Sequence, residues 1–370
     1  MKITRLTLHH LRMKLISPFE TSFGRITTRD CVLIEAWSNG LVGWGECVAD
    51  RDPGYSYETA GTAWHVLKDF LAPVVIGREI TSPSQFNPLV EMVRGHLMAK
   101  SGLEMVFWDL EGKLEKRCLR ELLGGGRNRV KVGVSVGIQS GPDALVRTVA
   151  GYLDQGYRRV KIKIKPGRDV LDAQAVRKAF PNIHLQVDAN SAYTLDSAVG
   201  LLPLDDLGLL LIEQPLDEDD LWDHSKLQRQ FATPLCLDES ILTPRHARQA
   251  IEMEACRVVN IKTGRVGGLS QAVAIHDLCS QHDIPVWCGG MLETGVGRAA
   301  NLALASLPNF TLPGDISATD RYYDEDITDQ RFTLNPDSTI DVPTLPGLGV
   351  TINQQALDRV TIDRISLSDA

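Results

Sequence analysis

Through the middle of this chain, an ionisable residue closes an apolar run about once every 25 residues. Lys163 ends RRVKIK, Asp188 ends IHLQVD, Glu213 ends LGLLLIE, Asp238 ends TPLCLD and Lys262 ends CRVVNIK, at intervals of 25, 25, 25 and 24 residues. One strand, one helix and two short loops need about that length, so the period reads as repeated βα units. A charge that recurs at the same point of each unit recurs at the same end of a barrel. The ladder therefore predicts an active site built from three carboxylates flanked by two lysines.

The repeat begins at KVGVSVGI, 131–138, and continues with strands near 159–165, 183–188, 207–213, 234–238, 256–262, 284–289 and, in short form, 310–315. Helical patterns fit between them at 142–155, 168–179, 243–253, 267–281 and 294–306, while the one near 195–202 is weakly written. Eight such units predict an α/β fold, a (β/α)8 TIM barrel. The preceding residues do not share the period. Strands at 2–15, 30–37 and 42–48, a turn at Asn39-Gly40, and helical patterns near 57–75, 84–97 and 101–117 make an α+β unit. Three regions follow: an α+β capping domain over 1–125, the barrel over 126–325, and a segment over 326–370 that returns to the cap. An open dinucleotide-binding sheet is the competing fold. No GxGxxG follows an early strand, and the GGG at 124–126 is better read as a linker.

With a net charge of -8 and no long basic block, nucleic acid is not the expected partner. Small anionic substrates stay open, because local lysines and a metal reverse the field inside a pocket. The 7 cysteines are scattered, odd in number and without CxxC spacing, which argues against a disulfide scaffold and a structural zinc site. The N-terminus alternates like a strand and lacks an apolar secretory core, and no segment approaches the ~20 apolar residues of a membrane span. A soluble, cytoplasmic protein without membrane partners is expected, and a homo-oligomer.

Three carboxylates at one barrel mouth repel one another, and a divalent cation removes that cost. All-oxygen ligation by Asp188, Glu213 and Asp238 favours Mg²⁺, with Mn²⁺ the alternative. Lys161 and Lys163 form a KxK pair on one side of a strand, and that side must be the interior, since lysines on the other would be buried against apolar helices. Like charge and partial desolvation should lower the Lys163 pKa and make it a base. Lys262 ends the strand opposite. Opposed lysines around a metal suggest carbon-acid chemistry: one takes the proton α to a carboxylate, and the other donates from the opposite face or stabilises the enediolate as a cation.

The strings VKIKIKPG, LQVDAN, LLIEQPL, LCLDES, VVNIKTGRVGG and CGGMLETGVGRAANLALASLPNF, with SPFETSFG and DPGYSYET near the N-terminus, resemble the enolase superfamily. Within its muconate lactonising subgroup, they are most similar to the o-succinylbenzoate synthase/N-succinylamino acid racemase family. The resemblance implies a modified barrel capped by both chain ends. It implies Mg²⁺ on Asp188, Glu213 and Asp238, Lys163 as base, Lys161 as its neighbour and Lys262 as the opposite lysine. Asn190 and Glu239 match residues that support the metal ligands, and Arg265 matches an arginine behind the second lysine in the racemising branch. The family's common proline after that lysine is Thr263 here. Lid candidates are Phe19 and Phe23 in one segment and Tyr55 in another. Ser135, Gly289, Gly290, Met291 and Leu292 are candidates to contact a substrate's succinyl arm, and Glu293 is a further candidate there or as a support for the loop.

The leading functional expectation is o-succinylbenzoate synthase: metal-dependent syn dehydration of 2-succinyl-6-hydroxy-2,4-cyclohexadiene-1-carboxylate, a step toward menaquinone. N-succinylamino acid racemisation is the alternative, and one pocket could process both substrates. A noncatalytic ligand-binding barrel is the alternative of another class. Dipeptide epimerisation is disfavoured because no acidic motif for an ammonium group follows strand eight, Asp315 being the nearest candidate.

Overall fold

A computed structural model describes residues 1–368. The chain opens with three antiparallel strands: β1 (Ile3–Thr21), β2 (Gly24–Ser38) and β3 (Leu41–Cys47). Asn39 and Gly40 join β2 to β3, both with positive φ (51° and 78°), which matches the twist of a two-residue hairpin. The SPFETSFG segment is strand except for the turn at Ser22 and Phe23. Phe19 pairs with Ile26 and Thr21 with Gly24, so the first lid candidate is the tip of a long hairpin.

Helix Leu97–Glu115 packs on this sheet through a core containing Leu6, Leu8, Ile34, Val106, Phe107 and Leu110, all at most 1% exposed. The helix expected over 84–97 is largely absent: one turn, Phe86–Leu89, is followed by irregular chain. Gly95 and His96 hold positive φ (65° and 50°), so no helix can run through them.

Beyond β4 (Arg129–Lys131), seven parallel strands follow: β5 (Val134–Val136), β6 (Arg159–Lys163), β7 (His184–Asp188), β8 (Ile212–Glu213), β9 (Leu235–Leu237), β10 (Val258–Ile261) and β11 (Val286–Cys288). Each pairs with its successor, so the sheet runs in chain order and curls. Residues 309–315 close it. Gly314 N donates to Lys131 O at 3.0 Å on one side, and Asp315 N donates to Cys288 O at 2.8 Å on the other. This eighth member forms only isolated bridges, and Pro313 inside it cannot donate. The weakly written helix after β7 is one α-turn, Leu195–Ala198, prolonged as 3₁₀ over Val199–Leu207. Strand β12 (Thr339–Asp341) pairs with β4, and β13 (Thr361–Ser368) pairs antiparallel with β1 in the cap sheet.

Alternation divides each barrel strand between two environments. Val160 and Ile162 of β6, like Leu185 and Val187 of β7, are fully buried in the layer between strands and helices. Each such side chain contributes about 1.5–3 kcal/mol. A separate interior cluster of Leu211, Cys236, Val258 and Trp287 fills the barrel centre. Above it the interior becomes charged. Among the described residues, no helix is long and apolar enough to cross a membrane.

Candidate active site

Strand register brings the ladder together. Lys163 is paired with Asp188, and Asp188 with Glu213, across adjacent parallel strands. Glu213 pairs with Cys236, so Asp238 lies just past the end of β9. Lys262 follows the last residue of β10 as N-cap of a short turn. In the closed ring β6 and β10 are four places apart, which sets Lys163 and Lys262 on opposite walls.

The acids are fully buried, and each is met by cations. Lys161 Nζ lies 2.9 Å from Asp188, 2.8 Å from Glu213 and 2.7 Å from Asp315. Lys163 Nζ donates to Asp188 Oδ2 at 2.5 Å and to Asn190 Oδ1 at 2.7 Å. Lys262 Nζ donates to Asp238 Oδ2 at 2.7 Å, while Arg265 binds the other oxygen of the same carboxylate. Arg265 therefore reaches Lys262 through a shared acid. Asn190 Nδ2 donates to Glu239 Oε1 at 2.8 Å.

These contacts separate the two lysines of β6. Burial opposes the charge on Lys161, but Asp188, Asp315 and Glu213 outweigh it and hold its pKa well above the usual lysine range. Lys163 is pushed below that range, by burial first and then by Lys161 and Lys262, against the pull of Asp188. For Lys262, burial is outweighed by Tyr55, Glu239 and Glu213, and its pKa is raised. Burial, with Asp188 next, lifts Glu239 to about 7.

Among the described residues no three potential ligands are gathered in metal-binding geometry. Asp188 and Glu213 turn instead to the bridging ammonium of Lys161. The donor set still suits a hard divalent cation: three buried carboxylates on neighbouring strand ends, with a positive group already held between two of them. The unpaired Oε2 of buried Glu239 and Oδ1 of buried Asn260 add oxygen acceptors beside the cluster.

A cavity of about 200 Å³ opens over this cluster. Lys161, Lys163, Lys262, Asn190, Ser135, Gly290, Met291 and Leu292 line it from the barrel, and Phe19, Phe23 and Tyr55 line it from the cap. Tyr55 enters the charge cluster directly, donating to Asp238 Oδ1 at 2.8 Å and accepting from Lys262 at 3.0 Å. Gly289 and Glu293 stand outside the wall. A Cβ on Gly289 would lie 2.7 Å from Lys262 Cε, so the glycine makes room for the lysine stem. Glu293 accepts from Met291 N and Asn301 Nδ2, both at 2.9 Å, and holds the loop.

Several residues were not among the candidates. Arg159, fully buried, donates to Asp315 at 2.6 Å. Asn260 donates to Glu213 Oε1 at 2.8 Å. Gln214 Oε1 accepts from Asp238 N at 2.9 Å. Period-two alternation back from Lys161 and Lys262 would have found Arg159 and Asn260. Nothing in the pattern marks Gln214. Asp315 lines the cavity, and each of its oxygens already meets a cation, Arg159 on one and Lys161 on the other.

Residues 3–124 match the mandelate racemase/muconate lactonizing enzyme N-terminal domain, and 144–356 match the enolase C-terminal domain-like family. The chain is 49% identical over 366 residues to an N-succinylamino acid racemase of Amycolatopsis sp, covering 99% of each. It is 47% identical over 362 residues to an o-succinylbenzoate synthase of Bacillus subtilis (strain 168), covering 96% of each. Its structure superposes with a TM-score of 0.95 on the crystal structure of an enolase superfamily member from Listeria innocua Clip11262, at 41% identity over 100% of this chain and 99% of that one. The opposed lysines, the ladder of acids and these matches together place the chain in the enolase superfamily, in its mandelate racemase/muconate lactonizing subgroup and close to the o-succinylbenzoate synthase and N-succinylamino acid racemase families.

Proposed function

We propose that this enzyme removes the proton α to a substrate carboxylate, and that its principal reaction is the o-succinylbenzoate synthase dehydration. The observation that carries the first part is the placement of Lys163 and Lys262 on opposite walls of one cavity, with buried acids between them. Mg²⁺ held by Asp188, Glu213 and Asp238 would neutralise the charge that gathers on the substrate carboxylate as its α-proton leaves.

Dehydration gives the two lysines unequal roles. Lys163, with its lowered pKa, suits the base that takes the proton from the ring carbon bearing the carboxylate. The bond electrons move into the ring, and the C–O bond to the 6-hydroxyl breaks. The ammonium now on Lys163 returns its proton to that leaving oxygen, so water departs and the ring becomes aromatic. Both transfers use one face and one lysine. Lys262 stays a cation, as an ordinary lysine does at neutral pH, facing the developing charge. Met291, Leu292, Phe19 and Tyr55 would surround the succinyl arm and exclude water.

Racemisation of N-succinylamino acids is the second reading. It needs Lys262 to exchange a proton, and the cation–carboxylate pairing of Arg265 with Asp238 bears on that lysine. The relatives named above carry both names. Side-by-side kcat/KM values for the cyclohexadiene substrate and a panel of N-succinylamino acids test the assignment. Dehydration at least about tenfold more efficient, a difference of about 1.4 kcal/mol, is expected. The reverse ratio would make racemisation the principal reaction, and no α-proton exchange with either substrate class would favour a noncatalytic barrel.

A further inference from the structure

The turn that carries Lys262 is held by the cap. Residues Thr263–Val266 form one helical turn, Gly267 and Gly268 follow with φ of 87° and 124°, and the helix Leu269–Gln281 begins. Three glycines in this stretch mark close approach from the other domain. A Cβ on Gly264 would run into Val48, one on Gly267 would come 3.1 Å from Leu97, and one on Gly268 would run into the carboxylate of Glu104. Val48, Leu97 and Glu104 all precede the barrel in sequence, and the last two lie on helix Leu97–Glu115.

Helix Leu269–Gln281 has glycine at its N-cap and no side-chain cap of its own. A helix start leaves its first amides without partners, and a carboxylate there is the usual remedy. Here it comes from the cap. The two oxygens of Glu104 lie 3.3 and 3.4 Å from Ser270 N, and Oε1 also accepts from Asn87 Nδ2 at 3.2 Å. Glu104 is fully buried, and among the described residues no lysine, arginine or histidine forms an ion pair with it. A buried carboxylate without a cation is costly, and the amide donors at the helix start offset part of that cost. The glycine at 268 is what lets it reach the helix end.

We propose that Glu104 is a positioning residue for Lys262. By capping helix Leu269–Gln281 from the cap domain, it fixes the 263–268 turn and the direction in which the Lys262 ammonium enters the cavity. This rests on the reading that Lys262 serves one face of the α-carbon.

The test compares the Mg²⁺-loaded full-length enzyme with its Glu104→Gln and Glu104→Ala variants. The α-proton exchange of each enantiomer of one N-succinylamino acid is followed in D2O by NMR. The enantiomer served by Lys262 is assigned as the one whose exchange Lys262→Ala removes. Glu104→Ala should slow that enantiomer on the order of tenfold relative to the other, below the hundredfold that ~1 Å of misplacement can cost. Glu104→Gln, which keeps one acceptor oxygen, should give a smaller loss of the same facial sense. Equal slowing of both enantiomers would mean general loosening and would overturn the proposal. Should the alanine variant fail to fold, the glutamine variant decides by the same ratio. Amide hydrogen exchange over residues 262–270 supplies an arm independent of chemistry: protection there should fall in either variant, and unchanged protection overturns the proposal. If the parent enzyme exchanges neither enantiomer, the proton-transfer role of Lys262 on which this rests fails while the dehydration reading stands, and the amide arm alone decides the positioning role.

Discussion

Replacing Glu46 by glutamine should change how stability depends on pH. Glu46 lies in β3 of the cap, 1% exposed, and caps the barrel helix Gly295–Ala305. It accepts from Thr294 N at 3.1 Å, Thr294 Oγ1 at 2.6 Å and Gly297 N at 2.8 Å. Burial raises its pKa from 4.5 to about 7; the Thr294 and Gly297 donors oppose the shift and Glu293 adds to it. For an acid whose folded pKa is raised, the folded state holds the proton more tightly than the unfolded state. The resulting stabilisation is fully present below pH 4.5 and is lost as pH rises through about 7. At about 1.4 kcal/mol per pH unit, the whole effect is about 3 kcal/mol, and most of it falls between pH 5 and pH 8. Glutamine imitates the protonated acid at every pH. The variant should therefore gain on the parent by about 2–3 kcal/mol between pH 5 and pH 8, above a constant offset of about 1 kcal/mol for an imperfect hydrogen bond. Urea unfolding of both proteins at four pH values measures this. Glu104 and Glu239, each also lifted to about 7, are common to both proteins and drop out of the difference. Parallel stability curves would refute the account of Glu46 as a buried, uncompensated carboxylate.

Lys163→Ala should abolish both dehydration and racemisation; appreciable dehydration in that variant would remove its role as base. Lys262→Ala should stop racemisation, and normal two-way α-proton exchange would refute the opposed-lysine arrangement. Arg265→Gln should weaken racemisation more than dehydration, since it releases one oxygen of the acid that also holds Lys262. Equal losses in the ratio of kcat/KM values would assign Arg265 to structure alone.

The barrel was legible in the sequence because one period repeats in two independent features. Apolar runs mark the strands, and the charge at each run's end marks the mouth. Register then carries Lys163, Asp188 and Glu213 to the same level with little freedom left. The cap was less legible. SPFETSFG lacks a clean alternation, yet it is held as strand because its backbone pairs across the hairpin, and Ile138 N donates to Glu20 O at 3.0 Å. Contacts between distant segments leave no periodic trace. Gln214 on Asp238 N, Asp315 between Arg159 and Lys161, and Glu46 on Thr294 each join elements far apart in sequence. The eighth strand was legible in place but not in length, since its pairing is interrupted around Pro313.

What divides the two candidate reactions is whether Lys262 surrenders its proton. The contacts that hold that lysine come from both the ladder and the cap. Asp238 at the end of β9 holds one donor of the ammonium, and Tyr55 receives another while its ring lies 4.2 Å from the same nitrogen. The turn below is pressed by Val48, Leu97 and Glu104. Tyr55, Val48, Leu97 and Glu104 all come from the cap. A change in cap docking therefore bears on the Lys262 side of the cavity through these contacts, whereas Lys163 is held directly by Asp188 and Asn190 of the barrel. On the proposed reading, the base that would start both reactions is a property of the strand period, whereas the balance between losing hydroxide and regaining a proton would lie within reach of cap substitutions that alter no acid or lysine of the ladder.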